Sequence, residues 1–128
     1  MRVVTSPDKV RLVDALASFT DTWAPRIIGE VNDTSLKVAK FDGEFVWHSH
    51  DDEDEAFLVI DGTMTMRFRN RSVDMAAGDI IVVPRRTEHL PVGTPHCSVL
   101  LIEPTTTVNT GGTESELRLD TLERITDA

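Results

Sequence analysis

The chain has 128 residues and a single cysteine, with 40% hydrophobic and 27% charged residues; this balance fits one globular domain and excludes a disordered or disulfide-stapled chain. A net charge of -9 argues against nucleic acid and anionic membrane surfaces as partners. With no internal disulfide, no long apolar N-terminal run and apolar stretches no longer than a strand, the protein is expected to be soluble and cytoplasmic.

Residues 1–25 read as a helix and an arm. Ser6 is placed as an N-cap, Pro7 in the first helical position and Asp8 in the first turn. Val10, Val13, Leu16, Ala17 and Phe19 or Thr20 then follow helical spacing, and the helix should end before Pro25. Its apolar stripe must pack on the sheet or on a second subunit. From about residue 26 the pattern becomes that of strands, near 26–31, 35–41, 44–48, 56–60, 63–69, 73–75, 80–83, 88–92 and 98–103. The breaks carry turn residues, among them Asn32-Asp33, Ala77-Gly78 and Gly93-Thr94-Pro95; Asp61-Gly62 has the form of a two-residue hairpin turn. Many short strands at regular spacing predict an all-β sandwich or barrel over 26–104. Residues 105–128 form an extension: 105–113 reads as a loop or covering arm, and 115–128 as a short helix or an edge strand.

The stretch 43–62 carries the chemistry. His48 and His50 lie two apart, so on a strand both imidazoles project from one face. Glu55 opens the next apolar run, and if the two strands are antiparallel neighbours its carboxylate can return to the point where the histidines aim. Two imidazoles and a carboxylate converging there make a metal site. The alternative is a histidine pair on an exposed strand followed by a solvated acidic loop. Downstream, Gly78-Asp79 makes a turn, 80–83 a buried strand ended by Pro84, and His89 the start of a return strand facing the same interior.

At this point the sequence resembles the cupin superfamily. Gly43, His48, His50, Glu55 and Gly62 match its first motif, and Gly78, Pro84 and His89 its second; Arg86 and Gly93 stand where the second motif has a glycine and an asparagine. The resemblance, over about 35–104, implies a double-stranded β-helix (a jelly-roll barrel) with His48, His50, Glu55 and His89 as ligands of one divalent transition metal. Imidazole and carboxylate donors without thiolate suit Fe, Mn, Ni or Zn. Small cupins typically dimerise, so a homodimer is expected, with the helix and 26–31 as candidate contacts.

Several further residues have two readings each. Phe57 and Val59, and Met64, Met66 and Phe68, share strand faces; they are core residues that in a hollow barrel also line a pocket for an apolar or aromatic small molecule. Arg85 and Arg86 precede His89, and Arg86 is a candidate anchor for an anionic substrate group. Asp51 to Asp54 read as a solvated loop or an acidic rim that attracts cations. Trp47 should face away from the metal, His96 lies in a turn, and Cys97 reads as a small buried residue. The expected activity is that of a metal-dependent dioxygenase acting on a small organic substrate, with Glu55 as a candidate base. A non-catalytic binding module and a sugar-phosphate-isomerase-like enzyme are the alternatives.

Overall fold

Six strands and one short helix make up the regular structure of the computed structural model, which describes residues 7–125. The strands are β1 (Arg26–Val31), β2 (Thr34–Glu44), β3 (Glu55–Phe68), β4 (Ser72–Ala76), β5 (Ile80–Val83) and β6 (His89–Pro104), and the helix is α1 (Leu12–Ala17). All strand pairings are antiparallel, in the order β1-β2-β6-β3-β4, with β5 also on β3. The fold is a jelly-roll barrel in which β3 and β6 form the central pair. At the start of β3, burial alternates from Glu55 to Val59, as period two requires of a strand with one face to the interior.

Two corrections concern strand length. Asp61-Gly62 and Gly93-Thr94-Pro95 are not turns between strands: β3 and β6 run through them, and their mutual register shifts between Val59 and Asp61 and between Asp61 and Thr63. These irregularities bend two long strands around the barrel instead of ending them. Gly62 takes φ +83°, with its Cα side only 3.0 Å from the Cys97 Cα for any added Cβ. At Gly93 a Cβ would fall 2.6 Å from Phe41, so β2 and β6 meet there only because glycine has no side chain.

The helix differs too. Ser6 lies outside the described residues; Pro7 and Asp8 are not helical, and α1 starts after Arg11, whose side chain makes no cap. Ala15 is buried, with Leu12 and Leu16 packed beside it, while Val13 is 68% exposed. Two apolar stripes overlap in this segment, and docking against Val38 on the outer face of β2 selects the one through Leu12, Ala15, Leu16 and the post-helical Phe19. A six-residue helix cannot stand alone and takes its orientation from that contact.

The main core lies inside the barrel, built from Ala39, Phe41, Phe57, Val59, Met64, Met66, Met75, Val83, Cys97, Val99 and Leu101, with Trp23 entering from the N-terminal arm. Phe68 packs partly buried against it. The chain beyond β6 forms turns that return over the barrel: the Ile27 N–H donates to the Glu123 carbonyl and the Ile27 carbonyl accepts from the Ile125 N–H, a single bridge rather than a strand or helix. Among the described residues no helix is long and apolar enough to cross a membrane.

Candidate metal centre

His48, His50, Glu55 and His89 come together in the barrel, all buried, with one donor atom from each lying within 4.8 Å of the others. The route differs from the hairpin expected of the sequence. No strand covers 45–47, and β6 separates β2 from β3, so the histidine pair and Glu55 are not on adjacent strands. Instead His48 forms an isolated antiparallel bridge with His89 at the start of β6, while Glu55 opens β3 opposite Val83 of β5.

The ring orientations are set by main-chain carbonyls. His48 Nδ1 is 2.9 Å from the Val46 carbonyl and His89 Nδ1 is 2.8 Å from that of Thr87. A carbonyl only accepts, so each Nδ1 carries the proton and each Nε2 presents its lone pair to the centre. His50 Nε2 and His89 Nε2 both lie 3.3 Å from Glu55 Oε1. These three atoms are buried without a hydrogen-bond partner. Polar atoms left so in a barrel interior are costly unless something else satisfies them. Donors about 2.1 Å from a shared ion stand roughly 3 Å apart when adjacent, so the observed spacing fits a divalent transition metal.

Electrostatics agree with a cation site. Burial lowers the His48 pKa to about 4, helped by neighbouring His89, so the ring is a neutral ligand at neutral pH. Burial alone would raise the Glu55 carboxyl, but the polar side chains of His50, His89 and Glu103 beside it outweigh burial and hold the group well below the usual carboxylate range. Glu103 moves the other way: burial pushes it well up, and the charge of Glu55 adds to the shift against the opposing pull of Lys37. Lys37 Nζ sits 2.9 Å from Glu103 Oε1, both side chains buried. Glu103 carried no signal in a strand pattern read one residue at a time; only its position opposite Glu55 exposes it.

A narrow cavity of about 30 Å³ opens beside His48 and Glu55. Phe41, Phe45, Phe57 and Leu101 form its apolar wall, Lys37 and Glu103 its polar one, and Trp23 closes one end. Trp23 stacks on Phe41 at 4.3 Å and on Phe45 at 4.8 Å between ring centroids, and its Nε1 donates to the Asp42 carbonyl. Its backbone is left-handed at φ 57°, a strained conformation for a bulky residue that these contacts hold in place. Of the proposed lining residues only Phe57 borders this cavity; Val59, Met64 and Met66 belong to the core cluster.

The C-terminal arm covers the opposite side. Asn109 and Leu122 border the cavity, and the Thr113 hydroxyl donates to the Trp47 carbonyl. Gly111 crosses so close to Ser49 that an added Cβ would lie 2.0 Å from its carbonyl oxygen. The acidic loop is tied down: Asp54 pairs with Arg85 and Glu53 accepts from Thr106. Trp47 packs under the Arg69 guanidinium, at 3.9 Å, and His96 is exposed. Arg86 is exposed, its Nε reaching the Asp51 carbonyl, and it does not border the cavity. Its backbone matters more: at φ 66° it turns the chain so that its N–H donates to the His50 carbonyl at 2.7 Å.

A family profile described as Cupin domain matches residues 36–103. A 63-residue stretch is 38% identical to the uncharacterized protein YdbB of Bacillus subtilis, covering 48% of this chain and 56% of that protein, so the match spans little more than half of the relative. Among solved structures, a cupin-2 domain containing protein from Shewanella frigidimarina is 40% identical with a TM-score of 0.73, over 74% of this chain and 93% of that one. Protein NMB1881 from Neisseria meningitidis is 28% identical with a TM-score of 0.70, over 77% of this chain and 100% of that one.

Proposed function

The chain belongs to the cupin family, and on that footing we propose that it is a metal-dependent enzyme of dioxygenase type, acting on a small organic molecule. His48, His50, Glu55 and His89 would hold one divalent transition metal, Fe, Mn, Ni or Zn. The observation that carries this reading is the set of partnerless donor atoms on His50, Glu55 and His89, aimed at one point beside an apolar cavity. A bound iron or manganese ion would supply the redox and Lewis-acid chemistry that oxygen activation needs.

The protein's own residues do the rest. Phe45 and Phe57 offer ring surface to a planar or apolar substrate and exclude water from its approach. Glu55 and Glu103 both border the cavity, and Glu55, at the metal site, is the candidate to take a substrate proton. A volume of about 30 Å³ holds about one or two water molecules, so a larger substrate enters only as Asn109 and Leu122 of the arm move aside. That small volume also favours a second reading, a binding module that holds a metal and a very small ligand without turnover. A phosphate-binding isomerase fits less well: Lys37 is occupied by Glu103 and Arg85 by Asp54.

The test is oxygen consumption by protein reconstituted anaerobically with Fe(II), presented with a panel of small aromatic and enolic compounds. Substrate-dependent uptake, abolished by His89→Gln, is the expected result. Tight binding of a panel member that is recovered unchanged, with no oxygen uptake, would instead establish the binding module.

A further inference from the structure

We propose that Lys37 and Glu103 form a buried positioning pair that fixes the Glu55 carboxylate for metal binding. The proposal rests on the metal-binding half of the reading above and is independent of turnover.

Strand register places the three residues on one face as close neighbours, Lys37 on the diagonal from Glu103. Between β2 and β6, Ser35 stands opposite Glu103 and Lys37 opposite Leu101. Between β3 and β6, Ala56 stands opposite Ile102 and Phe57 opposite Leu101. One step along that ladder sets Glu55 beside Glu103, and the period-two alternation points Lys37, Glu103 and Glu55 into the same interior. All three border the cavity next to His48. Their exposures are 3%, 3% and 5%, so none is solvated. Lys37 is anchored on Glu103 Oε1 by the 2.9 Å contact, and Glu103 Oε2 is buried without another partner.

The cost of this arrangement is the reason to assign it a role. Desolvating each buried ion costs several kcal/mol, and apolar residues of similar volume in its place are often as stable or more so. The neighbours Phe41, Phe57 and Leu101 show that the wall accepts apolar side chains. A carboxylate ligand has two oxygens and a free final torsion, and a partner on its far strand restrains both. Three strands contribute one member each, so the restraint is part of the sheet itself rather than of a loop.

The experiment is Co(II) titration, read both as dissociation constant and as the visible absorption of the bound ion, with folding checked by near-ultraviolet circular dichroism. Glu103→Ala should weaken Co(II) binding by about 10- to 100-fold and alter the absorption band, because Glu55 loses its restraint. Glu103→Gln, which keeps the side chain's length and a polar head group beside Glu55, should stay within about threefold of the parent. Should Glu103→Ala fail to fold, Lys37→Met carries the test, with a loss of about tenfold expected. A purely structural pair would lower the melting temperature and leave both Co(II) readings unchanged in the folded variants. Parent-like affinity in Glu103→Ala or Lys37→Met, or equal losses in Glu103→Gln and Glu103→Ala, would overturn the assignment. A parent chain that binds no Co(II) would overturn the metal centre itself, an outcome plainly distinct from the first.

Discussion

His48 and His89 face each other across an antiparallel bridge, each main-chain N–H donating to the other's carbonyl, at 3.1 and 2.9 Å. Their rings stand 4.2 Å apart. Backbone pairing therefore sets the distance between these two donors, and no side-chain torsion can separate them widely. The same bridge joins the two motifs of the sequence, which is why each is uninformative about geometry without the other.

Metal content should follow this cluster. Protein purified without chelator or nickel resin should carry close to one divalent transition metal per chain. His89→Gln or the His48→Ala, His50→Ala double variant should lose nearly all of it while retaining the β-sheet circular dichroism. Elemental analysis decides the matter, and undiminished metal in the double variant would refute the ligand assignment.

Acid should destabilise the metal-free protein over a defined window. The His48 pKa falls from 6.5 unfolded to about 4 folded, so between those values the unfolded chain binds the extra proton. The contribution of this group is full above pH 6.5 and declines as the pH drops toward 4, by about 3 kcal/mol, while Glu103, held above its ordinary value, acts in the opposite direction. Glu55, held below its ordinary value, adds a loss only at lower pH. Urea unfolding of chelator-treated protein at several pH values should show the decline, and His48→Gln should flatten it. Identical pH dependence in the parent and His48→Gln would contradict the burial argument.

Arg86 separates a side-chain role from a backbone one. Arg86→Gly relieves a left-handed conformation at φ 66° and should change stability by no more than about 1 kcal/mol, leaving metal affinity intact. Arg86→Pro removes the N–H that holds the His50 carbonyl and cannot adopt that φ, so it should cost more than about 2 kcal/mol and weaken metal binding. If Arg86→Gly alone abolished substrate turnover, the guanidinium would be a substrate anchor after all.

Glycines on β6 and β2 should respond unequally to alanine. Gly93→Ala forces a Cβ to within 2.6 Å of the Phe41 backbone and should cost about 3 kcal/mol, by a shift of the whole strand pair. Gly43→Ala meets nothing within 4 Å and bears only the torsional cost of φ +74°, about 1 kcal/mol. Thermal melts of the two variants give the comparison, and equal losses would show that close approach is not what Gly93 provides.

Cys97 should be inert in the folded protein. It is fully buried, and burial raises its pKa to about 11, so at pH 8 only about one molecule in a thousand carries the thiolate. An aromatic disulfide reagent should react with it only as fast as the protein unfolds, and rapid stoichiometric labelling of native protein would disprove the placement.

The sequence by itself determined which four residues cluster, His48, His50, Glu55 and His89, and the barrel, because both are written locally. A His-x-His pair, the glutamate that opens an apolar run and a histidine after a strand-ending proline keep their meaning in any register, and period-two burial follows from the pleat alone. β1 and β5 appear with the bounds that the apolar pattern gave them, but β5 is not the buried strand expected: Val83 faces the core while Ile80 and Val82 are exposed on its other face. The tertiary structure decided what depends on a distant partner. Asp61-Gly62 has the composition of a hairpin, yet it bends a continuous strand because β6 pairs on both sides of it. The helix could have buried either of two stripes, and Val38 chose. Glu103 and Lys37 lie far from both motifs, and the arm that brings Asn109 and Leu122 to the cavity has no periodic pattern to betray it. Local chemistry selects which side chains can bind an ion, but only cross-strand register, a relation between residues far apart in the chain, decides what holds them and what they face.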